Sequence, residues 1–295
     1  MNFTTGDWVC HPKFGDGQVS QDNGDKLIVR FVSAGEKTML RESIPAAGAP
    51  PFSGFRFPST KASGTKRYKV EMPKREPALE FGYLVKRFTD VFKKGFDDEA
   101  FWTHERDYKE TAVLLLHDSL SMSHIDSLLS GSQFDEVCKR ALKVLQHTNL
   151  VFPQEKIKFK AALDKADHQR LFAAGIRDLL YGGNEIEAKF VSFANVLWEL
   201  ETPRWTLATY YQFLQTRGEL MFMKPSVTKR MSEAVGVALN YRSEPNWLTY
   251  SKLQELSNRI KEELHRHGLR PHSGIDVQGF IWTSIQIADG KYSTT

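Results

Sequence analysis

Apolar positions change period along the chain, and the change divides it into three zones. In the first 44 residues, short β-branched and aromatic runs alternate with turn signals. Trp8-Val9-Cys10 precedes Gly15-Asp16-Gly17, Leu27 to Val32 precedes Ala34-Gly35-Glu36, and Lys37 to Leu40 follows. Asp22-Asn23-Gly24-Asp25 between two such runs predicts a hairpin. Strands this short bury a core by curling up, so a small barrel is expected. Residues 45–77 show no apolar period; Pro45, Pro50, Pro51, Pro58, Pro73 and Pro77 alternate with Gly, Ser, Lys and Arg, which predicts an extended linker.

From residue 78 the spacing is helical. Phe134, Val137, Cys138, Ala141, Leu142 and Leu145 form one stripe. Leu171, Phe172, Ile176, Leu179 and Leu180 form another, ended by Gly182-Gly183, and Ile186, Phe190, Phe193, Leu197 and Leu200 form a third. Thr202 with Pro203 behind it predicts an N-cap. Leu253, Leu256, Ile260 and Leu264 line a long helix stopping at Gly268. The segment from Ile275 to Ile285 is apolar on most sides and is expected inside the bundle. The expected fold class is α+β by segregation: a small N-terminal SH3-like (Tudor-like) β-barrel over 1–44, a basic linker over 45–77 and a large all-α domain over 78–290.

Composition narrows the classes. The 295 residues are 41% hydrophobic and 26% charged, which describes a globular chain rather than a disordered or fibrous one. No run reaches about 18 apolar residues, so no membrane span is expected. The first residues lack a basic segment and an apolar core, so no secretion signal is expected there. Cys10 and Cys138 cannot build a disulfide framework and fit a reducing cytoplasm. The net charge of +4 is unevenly spread. Residues 45–80 carry 7 basic and 3 acidic side chains, and residues 201–295 carry 12 and 9. Lys61, Lys66, Arg67, Lys69, Lys74 and Arg75 in the linker are suited to following a phosphate backbone, or to solvating a spacer.

Gly6-Asp7-Trp8-Val9-Cys10-His11-Pro12-Lys13-Phe14-Gly15-Asp16-Gly17-Gln18-Val19 resembles the opening of the Tudor-like barrel at the C-terminus of UvrD/PcrA helicases. It is also similar to the polymerase-binding module of CarD-type regulators. The resemblance covers about 40 residues and implies a module that docks on protein or nucleic acid, with no chemistry of its own. Cys10 and His11, adjacent on a strand, point to opposite faces and make a poor metal pair.

Signatures of nucleotide hydrolysis, zinc proteolysis and serine hydrolysis are missing from the chain, and two cysteines exclude a cysteine-based zinc site. His104, His117, His124 and His147 lack ligand spacing, so no metal and no cofactor are expected. The densest mixture of aromatic and cationic residues runs from Thr202 to Trp282. Arg204, Trp205, Tyr210 and Tyr211 precede Lys224-Pro225-Ser226-Val227-Thr228-Lys229-Arg230. Pro225 suits a first helical turn and Gly236 an end. Val227, Met231, Ala234 and Val235 are expected to face inward, and Thr228, Lys229, Ser232 and Glu233 outward. Such a helix start, with cations beside it, attracts anions. Aromatic rings among cations suit base stacking, although core packing accounts for them equally well.

This region resembles, over about 50 residues, the helix-hairpin-helix DNA glycosylases. Leu200 to Leu214 stands for the second helix of the hairpin, and Phe222 to Arg230 followed by Ala234-Val235-Gly236 follows the later rhythm. Two departures matter: Lys224 occupies the position of the family's catalytic aspartate, and Glu201-Thr202-Pro203-Arg204-Trp205 replaces the glycine-rich hairpin. The resemblance implies binding of duplex or single-stranded DNA and excision of a modified or damaged base, in repair or defence against phage. Lys224 would supply a nucleophilic amine if burial lowered its pKa, and Asp276 a carboxylate. For Asp276 the other reading is a buried ion pair. Trp205, Tyr210 or Tyr211 would stack on a base, and Arg204, Thr228, Lys229 and Arg230 would meet phosphates. The alternative is a non-enzymatic adaptor whose barrel docks on a helicase, polymerase or similar partner.

Overall fold

The computed structural model describes residues 3–32, 34–44, 46–48 and 79–292. The chain forms two compact units, one built on a sheet and one on helices. The sheet is antiparallel throughout, in the order β4-β3-β2-β1-β5, with β1 at Trp8–His11, β2 at Gly15–Asn23, β3 at Lys26–Phe31, β4 at Gly35–Leu40 and β5 at Ala46–Ala47. Inward residues alternate along β2 and β3, so Val9, Val19, Leu27, Val29 and Phe31 join Phe3 and Ile44 in one buried cluster. Among the described residues the sheet is open, with β4 and β5 as its edges.

Two local expectations need correction. Gly15-Asp16-Gly17 is not a turn but the start of β2; the reversal lies just before it. Gly17 is required for a different reason. A Cβ there would lie 2.7 Å from a Phe31 ring carbon and 2.9 Å from the Arg30 carbonyl oxygen across the ladder. The sheet also extends past residue 44, because Ala46 and Ala47 pair with Cys10 and Val9. The remaining linker, including its seven lysines and arginines, lies outside the described residues.

Twelve helices occupy the described part of the second unit: α1 Phe81–Val91, α2 Glu99–Phe101, α3 Asp107–Ser119, α4 Met122–Ser130, α5 Phe134–Gln146, α6 Pro153–Ala162, α7 Ala166–Tyr181, α8 Ile186–Glu199, α9 Trp205–Gln215, α10 Pro225–Ala234, α11 Trp247–Arg266 and α12 Gly274–Ala288. The stripes read from the sequence are mostly their buried faces, except that Ile186 is 42% exposed and Phe134, Leu142 and Leu171 are half-buried. A π-helical turn, Trp102–Arg106, links α2 to α3. Helix α9 is buried over ten consecutive residues from Trp205 to Leu214. Helix α12 is nearly as enclosed and packs on α1 and α10. Its start passes unusually close to another loop: a Cβ on Gly274 would sit 2.0 Å from the Gly218 carbonyl oxygen.

Thr202 is not an N-cap. Helix α8 ends through Glu201 in the left-handed region, φ +56°. The Glu201 N–H donates to Trp198 O at 2.9 Å and the Thr202 N–H to Leu197 O at 2.8 Å. The chain needs two more residues to reverse, so α9 starts at Trp205 with Arg204 at its N-cap. On α10, Val227 and Met231 are buried as expected, but Thr228 and Ser232 are buried too. Their hydroxyls are absorbed locally: Thr228 Oγ1 accepts the Lys224 N–H at 3.3 Å, and Ser232 Oγ donates to Lys229 O at 2.7 Å.

Candidate active site

Lys224 stands at the N-cap of α10, where Pro225 holds the first helical turn. Its side chain runs inward and is 8% exposed. The ammonium lies 4.0 Å from the Trp282 ring centroid and 4.7 Å from that of Phe152. Among the described residues it has no hydrogen bond and no carboxylate within ion-pairing distance. Its stabilisation rests on two aromatic faces, each worth about 0.5–2 kcal/mol depending on how far the contact is desolvated. Burial pushes its pKa below the lysine range, Glu155 and Glu105 pull it back up, and Lys109 pushes it further down.

The amine lines a pocket of about 80 Å³ with Tyr108, Asn149, Leu150, Gln278 and Trp282. Gln278 sits on α12 and is 4% exposed, yet its Oε1 is buried without a hydrogen-bond partner among the described residues. A buried amide oxygen left unpaired costs about 1–3 kcal/mol, so Gln278 brings an unmet acceptor to the residues around the pocket. Beneath it is a second buried charge group. Lys109 Nζ donates to Glu105 Oε2 at 3.3 Å, and both side chains are enclosed. Burial raises the Glu105 carboxyl pKa and lowers that of the Lys109 ammonium, each opposed by the other's charge. Glycine at 279 makes room for the Phe101 ring, since a Cβ there would lie 2.8 Å from one of its carbons.

Asp276 is not in the pocket lining. Arg106 donates to it through Nε and Nη2, both at 2.7 Å, and the His272 N–H donates to Oδ2 at 2.7 Å. Arg106 Nη2 also donates to Phe96 O at 3.0 Å. The carboxylate is therefore fully buried and held on both oxygens, as the start of α12 requires. The structure brings Lys224 into a pocket and holds Asp276 in an ion pair outside it, so the amine and the carboxylate expected to act together do not line one site, and the ion-pair reading of Asp276 fits its contacts.

The expected stacking residues also need correction. Tyr210 and Tyr211 are fully buried. Tyr210 Oη donates to Val144 O at 2.8 Å and lies 3.0 Å from Thr148 Oγ1, and Tyr211 Oη donates to Ala141 O at 3.1 Å. Trp205 is 2% exposed, and its indole N–H donates to Arg242 O at 2.8 Å. These rings are packed against α5 and the 240s loop, because each polar tip finds a carbonyl there. Thr228 is buried. Arg230 is bound by Asp289 at 2.7 and 2.8 Å. Arg204 and Lys229 are exposed, with Lys229 Nζ 4.6 Å from the Tyr241 centroid.

Sequence reasoning missed Gln278, Trp282, Phe152 and Tyr108 as neighbours of Lys224. Gln278 carried a usable signal, an amide inside a helix apolar on most sides. The others had none, because they come from α3, the start of α6 and α12. Among the described residues no cluster of three or more metal-ligating side chains occurs, and no helix is long and apolar enough to cross a membrane. The chain matches no protein-family model, and comparison with curated proteins and with solved structures found nothing similar.

Proposed function

We propose that the helical unit binds DNA and excises a base, with the Lys224 amine as nucleophile. The observation that carries this reading is a buried ammonium without a carboxylate partner, at a pocket also lined by Asn149, Tyr108 and Gln278, whose Oε1 is unpaired among the described residues. An enclosed cation held only by rings is costly to keep, and groups of this kind concentrate at functional sites. A lowered pKa leaves part of the amine neutral and able to attack. The aromatic faces of Trp282 and Tyr108 suit a planar ring, and an amide suits the donor and acceptor edge of a base. At about 80 Å³ the pocket is smaller than the roughly 150 Å³ cavity that takes a benzene ring, so entry of a base requires its walls to open.

The chemistry is balanced within the pocket. The Lys224 nitrogen bonds to C1′ while the glycosidic C1′–N bond breaks, and the base leaves with that electron pair and a proton from the attacking amine. The sugar ring then opens as its oxygen takes the second proton, leaving a neutral imine between Lys224 and C1′, which a proton from water converts to the iminium. Borohydride reduces that iminium to a stable amine. The test is therefore incubation of the protein with an abasic-site duplex and borohydride. A covalent adduct on Lys224, absent in Lys224→Met, is expected; no adduct overturns the reading.

A second reading, the docking adaptor with a Tudor-like barrel, is supported by the edge strand β4, whose outer backbone is unpaired within the described sheet. An extended partner segment would add to that edge. Retention of a helicase or polymerase partner by residues 1–48 alone would favour it.

A further inference from the structure

Beside Lys224, and outside the residues that line its pocket, stands an exposed ring. Phe152 is 47% exposed while its inner face lies against the Lys224 ammonium. Its backbone is fixed: the Phe152 carbonyl accepts the N–H groups of Glu155 and Lys156, both at 3.0 Å, and Pro153 follows at once. A large apolar ring is thus held rigidly at the surface, where burial would ordinarily be gained. Helix α6 extends from it. Ile157 is 67% exposed, and Lys158 and Lys160 are exposed as well. Glu155 is the helix's single acidic residue, and its Oε2 is occupied by Thr206 Oγ1 at 2.8 Å. Of the ten residues of α6, only Phe159 is buried.

We propose that α6 is the surface on which the DNA strand lies, with Phe152 stacked in the gap left by the base that enters the pocket. The proposal rests on the pocket receiving an extruded base. The charge of the helix points to a polyanion, since Lys156, Lys158 and Lys160 outweigh its one carboxylate, Glu155. The ring points to a partner with exposed π faces, which an unstacked nucleic-acid strand offers. Contact between Phe152 and Lys224 ties the surface to the pocket: a nucleotide rotated out of the stack toward Lys224 leaves its vacancy beside the ring.

The test uses the full chain and a duplex containing a tetrahydrofuran abasic analogue, with 5-iododeoxyuridine as the neighbouring base. Irradiation is expected to cross-link the tryptic peptide spanning residues 144–156, and Phe152→Leu, which keeps an apolar side chain, to reduce the yield at least about fivefold. Lys158→Glu with Lys160→Glu is expected to weaken duplex affinity about tenfold or more at low salt. A cross-link confined to other peptides, or affinity within about twofold of the parent in the charge-reversed protein, overturns the proposal. Sedimentation with phosphatidylserine vesicles that the double substitution abolishes, with DNA affinity unchanged, assigns the surface to a membrane and also overturns it. A borohydride adduct on Lys224 without a cross-link to 144–156 removes the docking surface and leaves the amine chemistry. The cross-link without an adduct removes the chemistry and leaves the surface.

Discussion

Arg106 and Asp276 are joined by two parallel N–H···O bonds of 2.7 Å although 170 residues separate them. The pair ties the π-helical turn before α3 to the first turn of α12, and both side chains are shut away from water. Removing one partner leaves a desolvated charge without compensation. Asp276→Asn should therefore destabilise the helical unit by about 3–5 kcal/mol, read as a lower urea midpoint. A variant that stays fully stable while losing base release would return Asp276 to the chemistry.

Lys224 should behave in the opposite way. Its ammonium is buried without a carboxylate, so Lys224→Met removes a cation whose desolvation the rings only partly offset. The variant is expected to melt no lower than the parent and to form no borohydride adduct. A marked loss of stability would mean that the lysine holds α10 in place.

The pH dependence follows from the lowered pKa. Between that value and the ordinary lysine value of 10.5, the folded amine binds fewer protons than the unfolded one. Stability from this group accordingly rises with pH across that window, and the penalty is fully present below the folded pKa. The rate of adduct formation should rise with pH through the same folded pKa and level off below 10.5. A rate that climbs with no plateau until 10.5 would show that the amine is not shifted.

Tyr210→Phe should cost about 1–2 kcal/mol, because the buried Thr148 hydroxyl loses its partner and the Val144 carbonyl keeps only the His147 N–H at 3.2 Å. DNA affinity should stay within about twofold, since neither face of the ring meets solvent. Denaturant melts and binding isotherms on the same variant separate the two effects, and a large affinity loss in a stable protein would reopen the stacking role.

Gly274→Ala places a methyl group on the Gly218 backbone, 2.0 Å from its carbonyl oxygen. Both partners are main chain and cannot swing aside. The substitution should cost about 3 kcal/mol or more and lower the thermal midpoint. An unchanged midpoint would show that the start of α12 can move away from residue 218.

Local order was legible in the chain itself. The stripes of α5, α7, α8 and α11, the hairpin at Gly24 and the α+β division depend on neighbours a few residues apart, and periodicity records that distance. The placement of Lys224 at a helix start could be read the same way, because Pro225 follows it. The environment of the side chains could not. Tyr210 and Tyr211 look like stacking residues beside Arg204, yet they reach carbonyls 66 and 70 residues earlier in the chain and are buried. Asp276 looks like a lone carboxylate in an apolar helix until Arg106 meets it. Phe152, hidden in the sequence among Leu150 and Val151, is the ring left at the surface. Helix faces announce themselves by spacing, but tertiary packing alone decides which helices close over a polar group, and so which charge is paired and which remains free to act.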